Sequence, residues 1–158
     1  MFTQKEVDHF RNNQIANQKI LIGNNWVPSK SGKSQSIVSP IDGKIISNLQ
    51  VSDIEDVNDA VSSSREVFDK GDWSNMPPIH RKKIMIKIAE LIEKNMLELA
   101  VLGVRDNGTE INMAYKAEPG SAAGTFRYYA EAIDKVYGEI STTSNDFAGS
   151  ISSGSTSV

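Results

Sequence analysis

Cysteine is missing from all 158 residues. Its absence removes disulfides, thiolate metal ligands and a thiol nucleophile together, and it fits a reducing compartment. Histidine is nearly missing too. The two present, His9 and His80, are far apart and neither has a second ligand-type residue at coordinating spacing. Surface or capping roles are therefore expected of them rather than metal binding or acid–base work. No stretch approaches the ~18 consecutive apolar residues of a membrane span, so no membrane partner is expected. The segment from Met1 to Gln18 carries Lys5, Glu6, Asp8, His9 and Arg11 among several Asn and Gln. It lacks the unbroken apolar core of a secretory signal. Basic charge is not in excess either: 17 Lys and Arg against 20 Asp and Glu leave a net charge of −3. A nucleic-acid partner is not expected, because phosphate contacts need a basic face. A soluble, cytoplasmic protein is the expectation.

What is present suffices for a core. Hydrophobic residues make up 39% and charged residues 23%, and a chain of this size typically buries roughly two thirds of its surface. The centre of the organisation is read at Pro78 to Gly108, as a pair of helices. Ile84, Ile88, Leu91 and Ile92 recur at helical spacing, with Arg81, Lys82, Lys83, Lys87, Glu90, Glu93 and Lys94 on the side expected to be wet. Pro77 and Pro78 suit a first turn. Asn95, with Glu98 three residues on, is expected to cap the second helix, which carries Leu99 and Leu102, and Asn107-Gly108 to stop it in the left-handed conformation.

Before this pair, Thr3 and Glu6 have capping-box spacing ahead of a short helix with Val7 and Phe10 on one side. Lys19–Ile22, Gly23-Asn24-Asn25 and Trp26–Pro28 read as a hairpin. Ser29–Gln35 reads as a polar loop, Ser36–Ser39 as a short strand, Pro40-Ile41-Asp42-Gly43 as a turn and Lys44–Val51 as a returning strand. Together the four strands make a small antiparallel unit that needs a helix against it. Ser52 and Glu55 read as a capping box for a helix with Ile54, Val57, Val61, Ser64, Val67 and Phe68 in phase, closed by Gly71. Beyond the central pair, Thr109–Glu118 has no firm assignment. Pro119 is expected to open a last helix with Ala122, Phe126, Ala130, Ile133 and Tyr137 as its stripe and Gly138 as its stop. The domain plan is an arm over 1–18, a body over 19–140, and a tail over 141–158. The tail's Ser, Thr, Gly and Asn content cannot offset its ordering entropy, so disorder is expected there.

The order of these pieces meets a family. The run Ile22-Gly23-Asn24-Asn25-Trp26-Val27 is followed by Ser39-Pro40-Ile41-Asp42-Gly43, a capped helix and Trp73-Ser74 before the prolines. Then come an Arg- and Lys-rich helix, a helix ending Arg105-Asp106-Asn107-Gly108, and the run from Arg127-Tyr128-Tyr129-Ala130 to Glu139. Over roughly residues 17 to 146 this resembles the N-terminal part of the NAD(P)-dependent aldehyde dehydrogenase superfamily. The last run is most similar to members acting on γ-glutamyl-aminobutyraldehyde and related amino-aldehydes. The resemblance implies an α/β fold of which this chain holds an incomplete N-terminal part: small antiparallel strands plus about four to five helices, without a complete Rossmann sheet.

It also implies what is missing. In the family a cysteine thiolate attacks the aldehyde, an asparagine and backbone N–H groups hold the oxyanion, and hydride passes to NAD or NADP. A glutamate then activates water to release the acid. These groups lie downstream of the matched region, so no catalytic, cofactor-binding or metal residue is assigned to this chain and inactivity alone is expected. The resemblance places the backbone near Val38 and the carboxylate of Asp106 beside a monovalent-cation site, although Asp106 equally suits a plain helix end. It places Phe126, Tyr128 and Tyr129, with the small residues Ser121–Gly124, along a substrate tunnel; core packing is the competing and preferred reading of the aromatics. Arg81-Lys82-Lys83 reads as a solvated helix face. Phe147-Ala148-Gly149-Ser150-Ile151-Ser152-Ser153-Gly154 is similar to the family's phosphate loop, against the preferred reading of a chance match in a Ser- and Gly-rich tail. An aldehyde dehydrogenase fragment is the leading expectation. A module that docks on a full-length dehydrogenase subunit is the second.

Overall fold

The computed structural model describes residues 2–136. The arm is helix α1 (Gln4–Arg11), and its capping box is formed as expected: Thr3 Oγ1 accepts from the Glu6 amide while Glu6 accepts from the Thr3 amide at 2.7 Å. Strands β1 (Ile20–Ile22) and β2 (Asn25–Val27) pair in antiparallel register, Ile22 opposite Asn25. Gly23 and Asn24 alone make the turn. Both have positive φ, +56° and +65°, the twist-matched geometry of a two-residue hairpin.

Strand β3 (Ser34–Val38) starts two residues earlier than expected and pairs with β4 (Ile45–Gln50) around the Pro40–Gly43 turn, with a bulge at Ile37/Val38. The four strands do not join in one sheet as expected. They form two separate hairpins, linked by Gln18, which reaches β4 through a single parallel bridge to Leu49. The three-residue strands of the first hairpin offer few ladder bonds to a neighbour, and that hairpin meets α2 instead.

Helix α2 (Ile54–Lys70) is capped one residue later than expected. Asp53, not Ser52, is its N-cap, with Asp56 in the reciprocal position. The short α3 (Asp72–Asn75) carries Trp73 to the prolines. Helices α4 (Pro78–Lys94) and α5 (Met96–Asn107) form the expected pair, but Asn95 does not cap α5. Its Nδ2 donates back to the Leu91 carbonyl at 2.7 Å, closing α4. Gly108 stops α5 at φ +78°, as expected.

The segment left unassigned is helical. Glu110 caps α6 (Ile111–Tyr115), which runs through a π-helical turn (Lys116–Gly120) into α7 (Ser121–Ala132). Pro119 therefore lies inside a continuous helical run rather than opening it. The π turn accommodates the missing proline N–H. Tyr137 and Gly138, expected to end this helix, lie outside the described residues, as does the whole 141–158 tail.

The two central helices do not pack on each other as the main contact. Helix α4 packs on α7, and α5 packs on α1, α6 and the π turn. The stripe predicted for α4 is turned inward only in part: Ala89 is fully buried and Ile88 and Ile92 are half-buried, whereas Ile84 and Leu91 are 39% and 48% exposed. Alanines line the seam, with Ala123 and Ala130 buried on α7 and Ala89 on α4, as close helix approach requires. Two ion pairs bridge it. Arg127 forks onto Glu93, with Nε to Oε1 at 3.0 Å and Nη2 to Oε2 at 2.5 Å, and Lys82 Nζ meets Glu131 at 2.7 Å. The described residues thus bury small side chains and leave large ones outside. No large side chain is fully buried, while Ile54 (76%), Val61 (62%) and Trp26 (62%) are exposed.

A Cβ added to Gly108 would combine left-handed strain with a 3.2 Å approach to Pro40 Cγ. Gly108→Ala is expected to destabilise the chain by about 1–2 kcal/mol, read as a lower urea midpoint with an unchanged slope.

Candidate functional site

One cavity among the described residues lies at the end of the α4–α7 seam. Helix α4 supplies Arg81 and Met85, and α7 with the turn beyond it supplies Tyr128, Tyr129, Ile133 and Val136 around a cavity of about 190 Å³. The two tyrosine rings meet edge to face, centroids 5.3 Å apart at 88°. Tyr128 is 70% exposed and Tyr129 49%, so neither ring is packed into the core of the described residues, and Phe126 is half-buried. The run Arg81-Lys82-Lys83 is not simply a wet face. Lys82 is held by Glu131, and Arg81 is half-buried with an Nε that no acceptor reaches. No carboxylate or imidazole lines the cavity.

Other candidate residues stay apart. His9 meets Phe10 edge to face on α1 and His80 is exposed at the start of α4. Among the described residues, no group of three His, Asp or Glu is placed to hold a metal ion. Asp106 and Val38 are both exposed. The turn after β3 does approach the end of α5, with Pro40 against Gly108. Ser121 and Gly124 are exposed while Ala123 is buried. Nothing lies within 4 Å of where a Cβ of Gly124 would stand, so that face of α7 borders open space.

Sequence reasoning missed a buried polar knot. Asp56 is 3% exposed. It accepts from Ser29 Oγ at 2.7 Å, from the Asp53 amide at 3.0 Å and from the Lys30 amide at 3.2 Å, while Ser29 Oγ also reaches the Val51 carbonyl at 2.6 Å. Lys30 Nζ extends the knot to Asp59 at 2.6 Å. The Asp53 amide, then Ser29 and the Lys30 amide, hold the Asp56 carboxyl below its ordinary range. The spacing Asp53-x-x-Asp56 is a visible signal for half of this knot. Ser29 lies 27 residues away and carries none.

The described residues do not form a dinucleotide cradle. Their strands are antiparallel pairs, and none feeds a glycine turn at a helix N-terminus as pyrophosphate binding requires. The loop-like run 147–154 lies outside them. Among the described residues, no helix is long and apolar enough to cross a membrane.

Strand pairs set against a layer of helices, with no complete parallel sheet, mark one part of a larger α/β architecture. The chain belongs to the aldehyde dehydrogenase family, whose model matches residues 26–153. It is 38% identical over 125 residues to aldehyde dehydrogenase family 2 member B4 of Arabidopsis thaliana, a match covering 79% of this chain and 23% of that one. The fold superposes on the P. syringae indole-3-acetaldehyde dehydrogenase AldA, solved with NAD+, with a TM-score of 0.86 and 32% identity over 92% of this chain and 30% of that one. It superposes equally on the γ-glutamyl-γ-aminobutyraldehyde dehydrogenase of Burkholderia cenocepacia, at TM-score 0.84 and 30% identity over 90% and 29% of the two chains. The amino-aldehyde enzyme is thus one of several close structural neighbours. The chain spans about a quarter of the length of the curated relatives it matches.

The Asp56 knot generates a pH dependence. A folded-state pKa below the unfolded one contributes stability above the unfolded value of about 3.9, lost as pH falls through the lower folded value. Asp56→Asn is therefore expected to lower the thermal midpoint at pH 7, with the gap to the unsubstituted chain narrowing below about pH 4. A gap that stays constant across that window would show that the carboxylate charge contributes nothing.

Proposed function

We propose that these residues form the N-terminal part of an NAD(P)-dependent aldehyde dehydrogenase, backing the cofactor-binding domain and helping to shape the substrate entrance. The observation that carries this reading is the pairing of a family match over residues 26–153 with a thin alanine core beneath exposed large apolar side chains. Such a surface calls for a further layer of protein. An amino-aldehyde is the proposed substrate class of the whole enzyme. Support comes from the Burkholderia neighbour and from the Arg127–Glu139 run. NAD or NADP, when bound to the whole enzyme, supplies the hydride acceptor.

The reaction does not run on these residues alone. Thiolate attack needs a sulfur, and the 158 residues contain no cysteine. The purified chain, given NAD or NADP with betaine aldehyde, aminobutyraldehyde or γ-glutamyl-aminobutyraldehyde, is expected to form no reduced cofactor above the no-enzyme rate. Measurable turnover would overturn the reading.

A second reading is favoured by α2. Its apolar stripe stays uncovered, with Val57 at 52%, Val61 at 62% and Val67 at 57% exposure. On this reading the stripe docks on a full-length dehydrogenase subunit in the cytoplasm. Co-elution of the chain with such a subunit in size-exclusion chromatography, abolished by Val61→Asp, is the expected result. Co-elution that survives the substitution would exclude this face.

A further inference from the structure

One Asn-Gly step occurs in the 158 residues, at Asn107-Gly108. Such a step is chemically weak. Asparagine is a thermolabile residue, and a glycine amide, with no side chain beside it, reaches the preceding side-chain carbonyl carbon with little hindrance. Asn107 is exposed at the last position of α5, open to water. Three hydrogen bonds nevertheless hold the reacting atoms apart. The Gly108 amide, which would attack, donates to the Val104 carbonyl at 2.9 Å. Asn107 Oδ1 accepts from the Thr109 amide at 2.8 Å, and Nδ2, which would leave, donates to Glu118 Oε1 at 3.0 Å. Gly103 makes the last contact possible. A Cβ there would collide with Glu118 Oε2, so bare backbone lets the carboxylate lie against α5. Glu118 belongs to the π turn, so the Asn107 amide ties the end of α5 to the segment that leads into α7.

We propose that Asn107 is a site of spontaneous deamidation, latched by these three bonds and released when the end of α5 opens, and that its product does not close the latch again. In the open chain the Gly108 nitrogen loses its proton to hydroxide and attacks Asn107 Cγ. A Cγ–N bond forms and the Cγ–Nδ2 bond breaks. Nδ2 leaves as ammonia, taking a proton from water and restoring the hydroxide, and a cyclic imide remains. Water then opens the imide at one of its two carbonyls. Opening at Cγ gives aspartate; opening at the main-chain carbonyl gives isoaspartate, with an extra methylene in the main chain. Aspartate sets a second carboxylate against Glu118 where an N–H donor had been, and it places negative charge at a helix C-terminus. Isoaspartate moves Gly108 out of the register that stops α5. The inference does not rest on the dehydrogenase reading, since it needs neither cofactor nor turnover.

The test is tandem mass spectrometry of the tryptic peptide Asp106–Lys116 from the full 158-residue chain. The chain is incubated folded in mildly alkaline buffer and, in parallel, unfolded in urea at the same pH. Conversion at Asn107 is expected to run at least about tenfold more slowly in the folded chain, because only its open fraction reacts. Glu118→Ala, which removes the acceptor of Nδ2, is expected to raise the folded rate severalfold and leave the rate in urea unchanged. The product is tested through Asn107→Asp, which is expected to lower the thermal midpoint. Adding Glu118→Gln is expected to restore most of that loss, since the new Nε2 donates to the new carboxylate and the hydrogen bond re-forms with donor and acceptor exchanged. This pair keeps the test valid if Glu118→Ala fails to fold. Equal rates in buffer and urea overturn the proposal, as does no conversion in urea. So does a folded rate that Glu118→Ala leaves unchanged, or an Asn107→Asp deficit that Glu118→Gln does not reduce.

Discussion

Alanine closes the seam between α4 and α7, and the arrangement of the rest follows from how small that residue is. With Ala89, Ala123 and Ala130 in the middle, the two backbones come close, and the larger side chains are left at the flanks. Close packing of small groups brings many weak contacts but buries little apolar area, so the seam's hydrophobic stabilisation is modest. Orientation then rests on the ion pairs that bridge it. The bidentate Arg127–Glu93 fork fixes the two helices in register more tightly than a lysine could. The fork also holds the Glu93 carboxyl below its ordinary range. Both partners are substantially solvent-exposed, so the fork contributes geometry more than energy.

The strand side is held by a different device. The β1–β2 hairpin rests on α2 where the Gly23 backbone passes Ser63; a Cβ at Gly23 would stand 3.2 Å from its hydroxyl. The loop after β2 is tied to the same helix by the buried Asp56 knot, which serves as N-cap partner, loop anchor and strand tether at once. A carboxylate with this many donors is satisfied inside the protein, which is the condition under which burial of charge is tolerated. Local polar bonding thus supplements a thin core of small side chains.

What is legible in the sequence is what depends on neighbours in the chain. The Thr3–Glu6 box and the Gly108 stop need only a few adjacent residues to be right, and both form as read; the Gly23-Asn24-Asn25 turn forms with its last residue taken into β2. The one-residue slip at α2 arises because Ser52-x-x-Glu55 and Asp53-x-x-Asp56 overlap. The second wins because Asp56 also gains Ser29 and the Lys30 amide, partners that no local window contains. The partial miss of the α4 stripe has the same origin. Ile84, Ile88 and Leu91 do recur at helical period, but period defines a face and not what lies opposite it. The helix α4 meets is lined by alanine, which a hydrophobic pattern weights too lightly to set the phase. Arg81 was hidden for the reverse reason. Within Arg81-Lys82-Lys83 all three residues look alike, and only the approach of α7 separates the paired lysine from the arginine without an acceptor.

Helix α2 shows how far local specification can go without a core. Its N-cap is reciprocal, acidic residues occupy its first turn, and Arg65–Asp69 and Lys70–Glu66 brace its exposed side at four-residue spacing. Everything that makes it a helix is present, yet the apolar residues that would make it a packed helix face outward. Apolar stripes are not needed to form a capped, braced helix. They are needed to place one against another layer. The same separation recurs among the described residues: α1, α2 and α6 carry side-chain caps while large apolar side chains remain uncovered. The uncovered isoleucine, valine and tryptophan are the surface that the proposed dehydrogenase reading assigns to a further layer of protein, in a chain spanning about a quarter of its relatives' length.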